Sequence, residues 1–181
     1  MEESRQQISE MPSYWNSVFL AGAIFGLVSA IGQLLQGYVT INTGEQSGWI
    51  SFVICLVSAF GGFTALWHYT SLGDFSITLG KGALIGFFAG VAAAFIGYAI
   101  VEVWKFIDPS YEPALKEASI AIIENNPEIP DAWKQQMIDA THDPGMLTYL
   151  TTAGGAILTG VLNLLTGMLG VKIFGKQEKE F

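Results

Sequence analysis

The chain has 181 residues, 51% hydrophobic and 13% charged, with a mean hydropathy of +0.43 and a net charge of −8. Charged residues are about half as frequent as the ~25% usual in soluble domains. With eight Lys/Arg against sixteen Asp/Glu, that excludes a disordered chain and a nucleic-acid-binding domain. The single cysteine, Cys55, excludes an internal disulfide and so a disulfide-stapled module.

Four stretches carry no formal charge: residues 11–44, 46–73, 82–101 and 145–171. A helix crosses a ~30 Å hydrocarbon core with ~20 apolar residues, and in lipid every backbone N–H and C=O must be paired locally. The predicted fold is therefore all-α and polytopic, one membrane domain over residues 1–181 with transmembrane helices near 15–39, 49–72, 82–101 and 146–171. The first stretch reads as a retained span: its leader has Glu2, Glu3 and Glu10 against Arg5, whereas a signal peptide begins positive. A soluble bundle would show a polar helical face, and residues 21–28 have none. Tyr14, Trp15 and Tyr38, Trp49 with Trp67 and Tyr69, Tyr98 and Trp104, and Tyr149 mark the span ends, as a headgroup interface selects.

With four spans, both termini and the 73–81 turn share one side, which holds Arg5, Lys81, Lys172, Lys176 and Lys179. The other side has only Lys105, Lys116 and Lys134, set among nine acids between residues 102 and 144. Positive charge near span ends stays inside, so the expected location is a cytoplasmic (inner) membrane with both termini in the cytoplasm and 102–144 outside.

Helices in lipid associate through close backbone approach. Gly82, Gly86 and Gly90 make a small-residue stripe on the third span, and Gly22, Gly26 and Ala30 another on the first. Gly61, Gly62 and Ala65, and Gly154, Gly155, Gly160, Gly167 and Gly170, are read as close-approach points on the other two. They suit packing within one bundle, a homo-oligomer seam being the alternative. Gln33, Gln36 and Asn163 are the polar intramembrane candidates, as interhelical hydrogen-bond partners or as a solute site. His68 is placed at an interface. No Asp, Glu, Lys or Arg lies in the middle of a span, which counts against a proton-coupled pump.

Residues 102–144 hold five of the six prolines. Pro113 and Pro130 each suit the first turn of a short helix, one ending near 125 and the other near 142. Leu115, Ala118 and Ile122 share one face of the first, and Ile129, Trp133, Met137 and Ala140 one face of the second. These are two amphipathic helices, acidic rather than basic, so the apolar stripe is expected to cover the outer mouth of the bundle or to dock on another protein, which makes Ile129/Trp133/Met137 a candidate partner surface and not a lipid-binding one. Asp139, His142 and Asp143 could meet on one helical face, which falls short of a metal set. No P-loop, GxSxG, HExxH or paired-cysteine motif is present, so no catalytic residue, metal or cofactor is assigned.

The run Leu79-Gly80-Lys81-Gly82-Ala83-Leu84-Ile85-Gly86, the step Phe106-Ile107-Asp108-Pro109, the acidic amphipathic segment and the lysine-bearing tail resemble the domain-of-unknown-function 4199 family, found mostly in Bacteroidota. The resemblance implies a four-helix bacterial inner-membrane protein and brings no activity or cofactor. Three functions compete. The first is a non-catalytic accessory, assembly or structural subunit that meets a membrane-protein partner through its acidic segment. The second is a small-solute channel or carrier using Gln33, Gln36 and Asn163. The third is a membrane-embedded enzyme using Asp139, His142 and Asp143.

Overall fold

A computed structural model describes residues 12–73, 76–142 and 145–175. The helices, in chain order, are α1 (Trp15–Thr43), α2 (Gly48–Ala59), α3 (Gly61–Ser71), α4 (Leu79–Ile107), α5 (Tyr111–Asn125), α6 (Asp131–His142) and α7 (Gly145–Phe174). α2 and α3 form one span bent at Phe60, so with α1, α4 and α7 there are four helices long and apolar enough to cross a membrane. No more than 33% of the most apolar window of each span is buried. Phe19, Leu35, Phe52, Phe95 and Leu158 are all more than half exposed. An apolar surface of that extent exceeds what a soluble monomer carries, and a bilayer satisfies it. The chain is a polytopic membrane protein.

The first, third and fourth spans outrun their predicted bounds, whereas the second matches within one residue at each end. α4 continues to Ile107 because Glu102 and Lys105, one turn apart, pair at 2.8 Å and carry their charge to the span's edge. α1 runs to Thr43 and stops where Gly44, at φ 68°, returns its N–H to the Thr40 carbonyl at 2.9 Å. The amphipathic helices stand where prolines predicted them: Pro113 lies in the first turn of α5, and the Pro130 carbonyl accepts from the Trp133 and Lys134 N–H groups at the start of α6. Arg5, Lys176, Lys179, Asp143, Pro144 and the Tyr149 side chain lie outside the described residues.

α4 is the hub, packed most extensively against α7 on one side and α1 on the other. Small residues make both contacts possible. A Cβ on Gly22 would stand 2.8 Å from Ala92 Cβ, and one on Gly26 2.9 Å from the Ala93 carbonyl oxygen. The second stripe faces the other way: Gly82 meets Val171, and Gly86 and Gly90 meet Asn163. Gly160 closes on Phe87 and Val91. Gly154 and Gly155 differ from expectation, for an added Cβ there meets nothing within 4 Å, because this part of α7 faces away from α4.

The half of the bundle nearer the termini is the dense half. Val18, Leu66, Tyr69, Ile85 and Ala89 are sealed from solvent there. Ser17, fully buried, ties α1 to α3 through a 2.8 Å hydrogen bond between its Oγ and His68 Nδ1, so the histidine predicted at an interface is an interhelical partner. The other half is looser. α2 leans on α1 and barely touches α4 or α7, leaving Trp49 71% exposed.

Candidate functional site: a cavity beneath the amphipathic helices

Where α2 parts from the bundle, a cavity of about 1020 Å³ opens between α1, α2, α5, α6 and α7. Its α1 wall is a polar stripe of Ser29, Gln33, Gln36, Gly37 and Thr40. Leu115 and Ile122 of α5 and Met137 and Ala140 of α6 supply apolar wall, and Ile54 and Cys55 of α2 continue it. Ser58, Ala59, Thr159, Leu162 and Asn163 form the floor, midway along their spans. Gln33, Gln36 and Asn163, far apart in sequence, thus line one space.

The floor is built by the bend in the second span. In an unbroken helix the Gly62 N–H would bond the Ser58 carbonyl four residues back. Here the Asn163 amide stands between them. Its Oδ1 accepts from the Gly62 N–H at 2.6 Å and its Nδ2 donates to the Ser58 carbonyl at 3.0 Å. The same Nδ2 also donates to the Thr159 carbonyl at 2.9 Å. Thr166 adds a 2.6 Å bond from its hydroxyl to the Ala59 carbonyl. A side chain inserted into the backbone ladder is a recognised cause of a kink, and two glycines in sequence let the chain accept it. Asn163 is fully buried, with Gly61, Gly62, Gly86 and Gly90 around it. Its polar groups are therefore spent on α2, α3 and its own helix, and the cavity ends at it.

The other two amides are held more lightly. Gln33 Nε2 donates to Ser29 Oγ at 3.1 Å, within the same helix. Gln36, with its amide oriented to suit its neighbours, exchanges two 3.0 Å bonds with the Ser47 backbone, pinning the turn into α2. The Ser58 hydroxyl is sealed within the packing beneath the floor and makes no hydrogen bond among the described residues.

A latch that sequence reasoning missed seats α5 over the cavity. The Tyr38 hydroxyl donates to Asp108 Oδ2 at 2.6 Å and accepts from Trp104 Nε1 at 3.0 Å. Asp108 Oδ1 accepts from both the N–H and the hydroxyl of Ser110. Tyr111, 4% exposed, packs its ring at a tilt against Tyr38 with centroids 5.0 Å apart, and Gly37 leaves the room its phenol occupies. As span-end aromatics Tyr38 and Trp104 carry no sign in the sequence that they join in one hydrogen-bonded chain ending on Asp108. The Ser110 and Tyr38 bonds hold the Asp108 carboxyl below the usual carboxylate range. The Lys116 bond holds Glu112 low too, with Lys105 assisting at 3.7 Å. Burial pushes the Tyr111 phenol up, so it stays neutral.

A depressed carboxyl pKa stabilises the fold above its unfolded value, and the stabilisation disappears as pH falls through the folded value. Acidification below the ordinary carboxylate range should therefore loosen α5 from α1. Hydrogen exchange of amides 108–125 should quicken at that pH while amides of α3 and α4 do not, and Tyr38→Phe should bring the quickening to neutral pH. Equal protection of α5 at both pH values would remove the latch from the account.

The partner stripe is divided by the fold. Ile129 and Met137 face the cavity, whereas Trp133 is 64% exposed outside it. Among the described residues, no group of three or more His, Cys, Asp or Glu side chains could hold a metal, and Asp139 is engaged by Gln135 at 2.9 Å. Comparison with curated proteins and with solved structures gives no match. Residues 20–175 match the family model described as Protein of unknown function (DUF4199), and the chain belongs to that family.

Proposed function

We propose that the chain is a non-catalytic accessory or assembly subunit of a bacterial inner membrane, with both termini cytoplasmic and its acidic segment outside as a docking surface for a membrane-protein partner. One observation carries the reading: no described residue of α6 is buried, although the helix carries an apolar stripe with Trp133 turned outward beside exposed Asp131 and Asp139. The complementary surface is an apolar patch ringed by Lys or Arg. Purification in mild detergent should recover a stoichiometric partner that Trp133→Glu releases while the chain itself stays monodisperse. A partner-free monomer from the native membrane would end this reading. The orientation has its own test. In a Cys55→Ser background, a cysteine at Ser47 should react with an impermeant thiol reagent from outside, and one at Ser76 only after the membrane is opened. The reverse pattern inverts the topology.

A second reading, a small-solute channel or carrier, draws support from the three amides that line one cavity. It requires the Asn163 floor to open. A cysteine at Ser58 should then react from both sides of the membrane in turn; reaction from the α5–α6 side alone speaks for a closed-ended cavity.

A further inference from the structure

The two walls of the cavity ask for different chemistry. The α1 stripe of Ser29, Gln33, Gln36 and Thr40 hydrogen-bonds and carries no charge, whereas Leu115, Ile122 and Met137 opposite offer only apolar contact. From Ser29 to Thr40 the stripe rises eleven residues, about 16 Å at 1.5 Å per residue. That is the depth of one leaflet of a ~30 Å hydrocarbon core. A pure hydrocarbon filling this space would leave the Gln33 side-chain oxygen, whose amide nitrogen alone is engaged, against an apolar filling, and an unbonded polar group in an apolar interior is costly. A hydrophilic solute would waste the apolar wall. A charged head is unsuited to the floor, which lies at mid-span where formal charge is expensive. The Lys105, Glu112 and Lys116 side chains stay at the opposite end, already joined to one another.

We propose that the cavity binds an uncharged amphiphile taken sideways from the bilayer, its carbonyl or hydroxyl head hydrogen-bonded to Gln33 of the α1 stripe and its hydrocarbon body against α5 and α6. The volume of about 1020 Å³ lies at the upper end of ligand pockets, which run ~300–1,000 Å³. Entry is lateral, past α2: this helix makes little contact with α7, and its Phe52 and Leu56 face the bilayer. The inference does not depend on the partner reading, since the cavity and the outward face of Trp133 are separate.

The test is photolabelling of the full chain in phosphatidylcholine liposomes with a monoacylglycerol that carries a diazirine in its chain. Alkyl-diazirine probes of the same length, one without a head and one with a phosphate head, run beside it. Saturable labelling of peptides from α1, α2 and α5 by the monoacylglycerol alone, displaced by excess monoolein or a short-chain quinone, is the expected result. Gln33→Leu should weaken that displacement about three- to tenfold, the worth of one hydrogen bond. The Gln33 amide bonds only Ser29 on its own helix, so this variant keeps the fold. Ile122→Trp should block labelling by filling the space. Equal labelling by the headless probe, preference for the phosphate probe, no saturable labelling, or unchanged displacement in Gln33→Leu would each overturn the proposal.

Discussion

Asn163→Leu should destabilise the folded protein by about 2–4 kcal/mol, because it keeps the branched heavy-atom skeleton of the side chain and removes the amide that stands between Gly62 and Ser58. Two backbone groups then lose their partners in an interior where water does not replace them. The estimate follows from about 1–3 kcal/mol for each buried group left unsatisfied. Interhelical hydrogen bonds measured in membranes lie lower, averaging ~0.6 kcal/mol, because the helices find other partners when separated. The native geometry favours the larger figure. The ladder between residues 58 and 62 closes again only if the span straightens, and Gly62 lies against the Asn163 backbone, so straightening disturbs the α3–α7 contact as well. Reversible unfolding in mixed micelles measures the loss. A spin-label distance across Phe60 reports whether the bend relaxes. Gln33→Leu is the control within the same cavity: its bond runs to Ser29 four residues back on one helix, so its removal should cost little. A loss for Asn163→Leu no larger than that of the control would mean that the amide is incidental to the bend.

The four spans were legible because lipid imposes a length and forbids charge, both of which a sequence displays directly. The prolines announced α5 and α6 for a similar reason, since Pro113 and Pro130 suit only a first turn. Partner choice was less legible. The stripes at Gly22/Gly26 and Gly82/Gly86/Gly90 look alike on paper, yet the first faces α4 and the second faces α7, a difference set by the packing of the whole bundle. Gly154 and Gly155 share the composition of the packing glycines and pack against nothing, because α7 turns that face outward. A glycine signals that approach is possible, not that it occurs. The amides show the same limit: Gln33, Gln36 and Asn163 are equally polar, but only Asn163 meets a broken backbone ladder, and the break lies a hundred residues away. The Tyr38–Asp108 latch spans 70 residues and joins a span end to a cap, so no local pattern contains it.

That contrast between glycines makes the strongest test of the bundle. Gly86→Val should abolish the native fold or destabilise it by about 3 kcal/mol or more, at or beyond the top of the ~1–3 kcal/mol usual for overpacking. The reason is what the new side chain meets. An added Cβ would collide with the Asn163 carbonyl oxygen and lie 3.1 Å from Gly167 Cα, both of them backbone atoms of α7 that no rotamer change can move. The helices must separate, and α4 and α7 share the most extensive contact in the molecule, so the whole seam opens together. Gly160→Ala should be milder, for there the neighbours at 2.8–2.9 Å are the side chains of Phe87 and Val91, which can shift. Gly154→Ala and Gly155→Ala should be neutral or slightly stabilising, since nothing is struck and alanine favours the helix by about 0.5–1 kcal/mol over glycine. Size-exclusion profiles and unfolding midpoints of the four variants should fall in that order. Near-equal behaviour of Gly86→Val and Gly154→Ala would mean that close approach of α4 to α7 does not hold this bundle together.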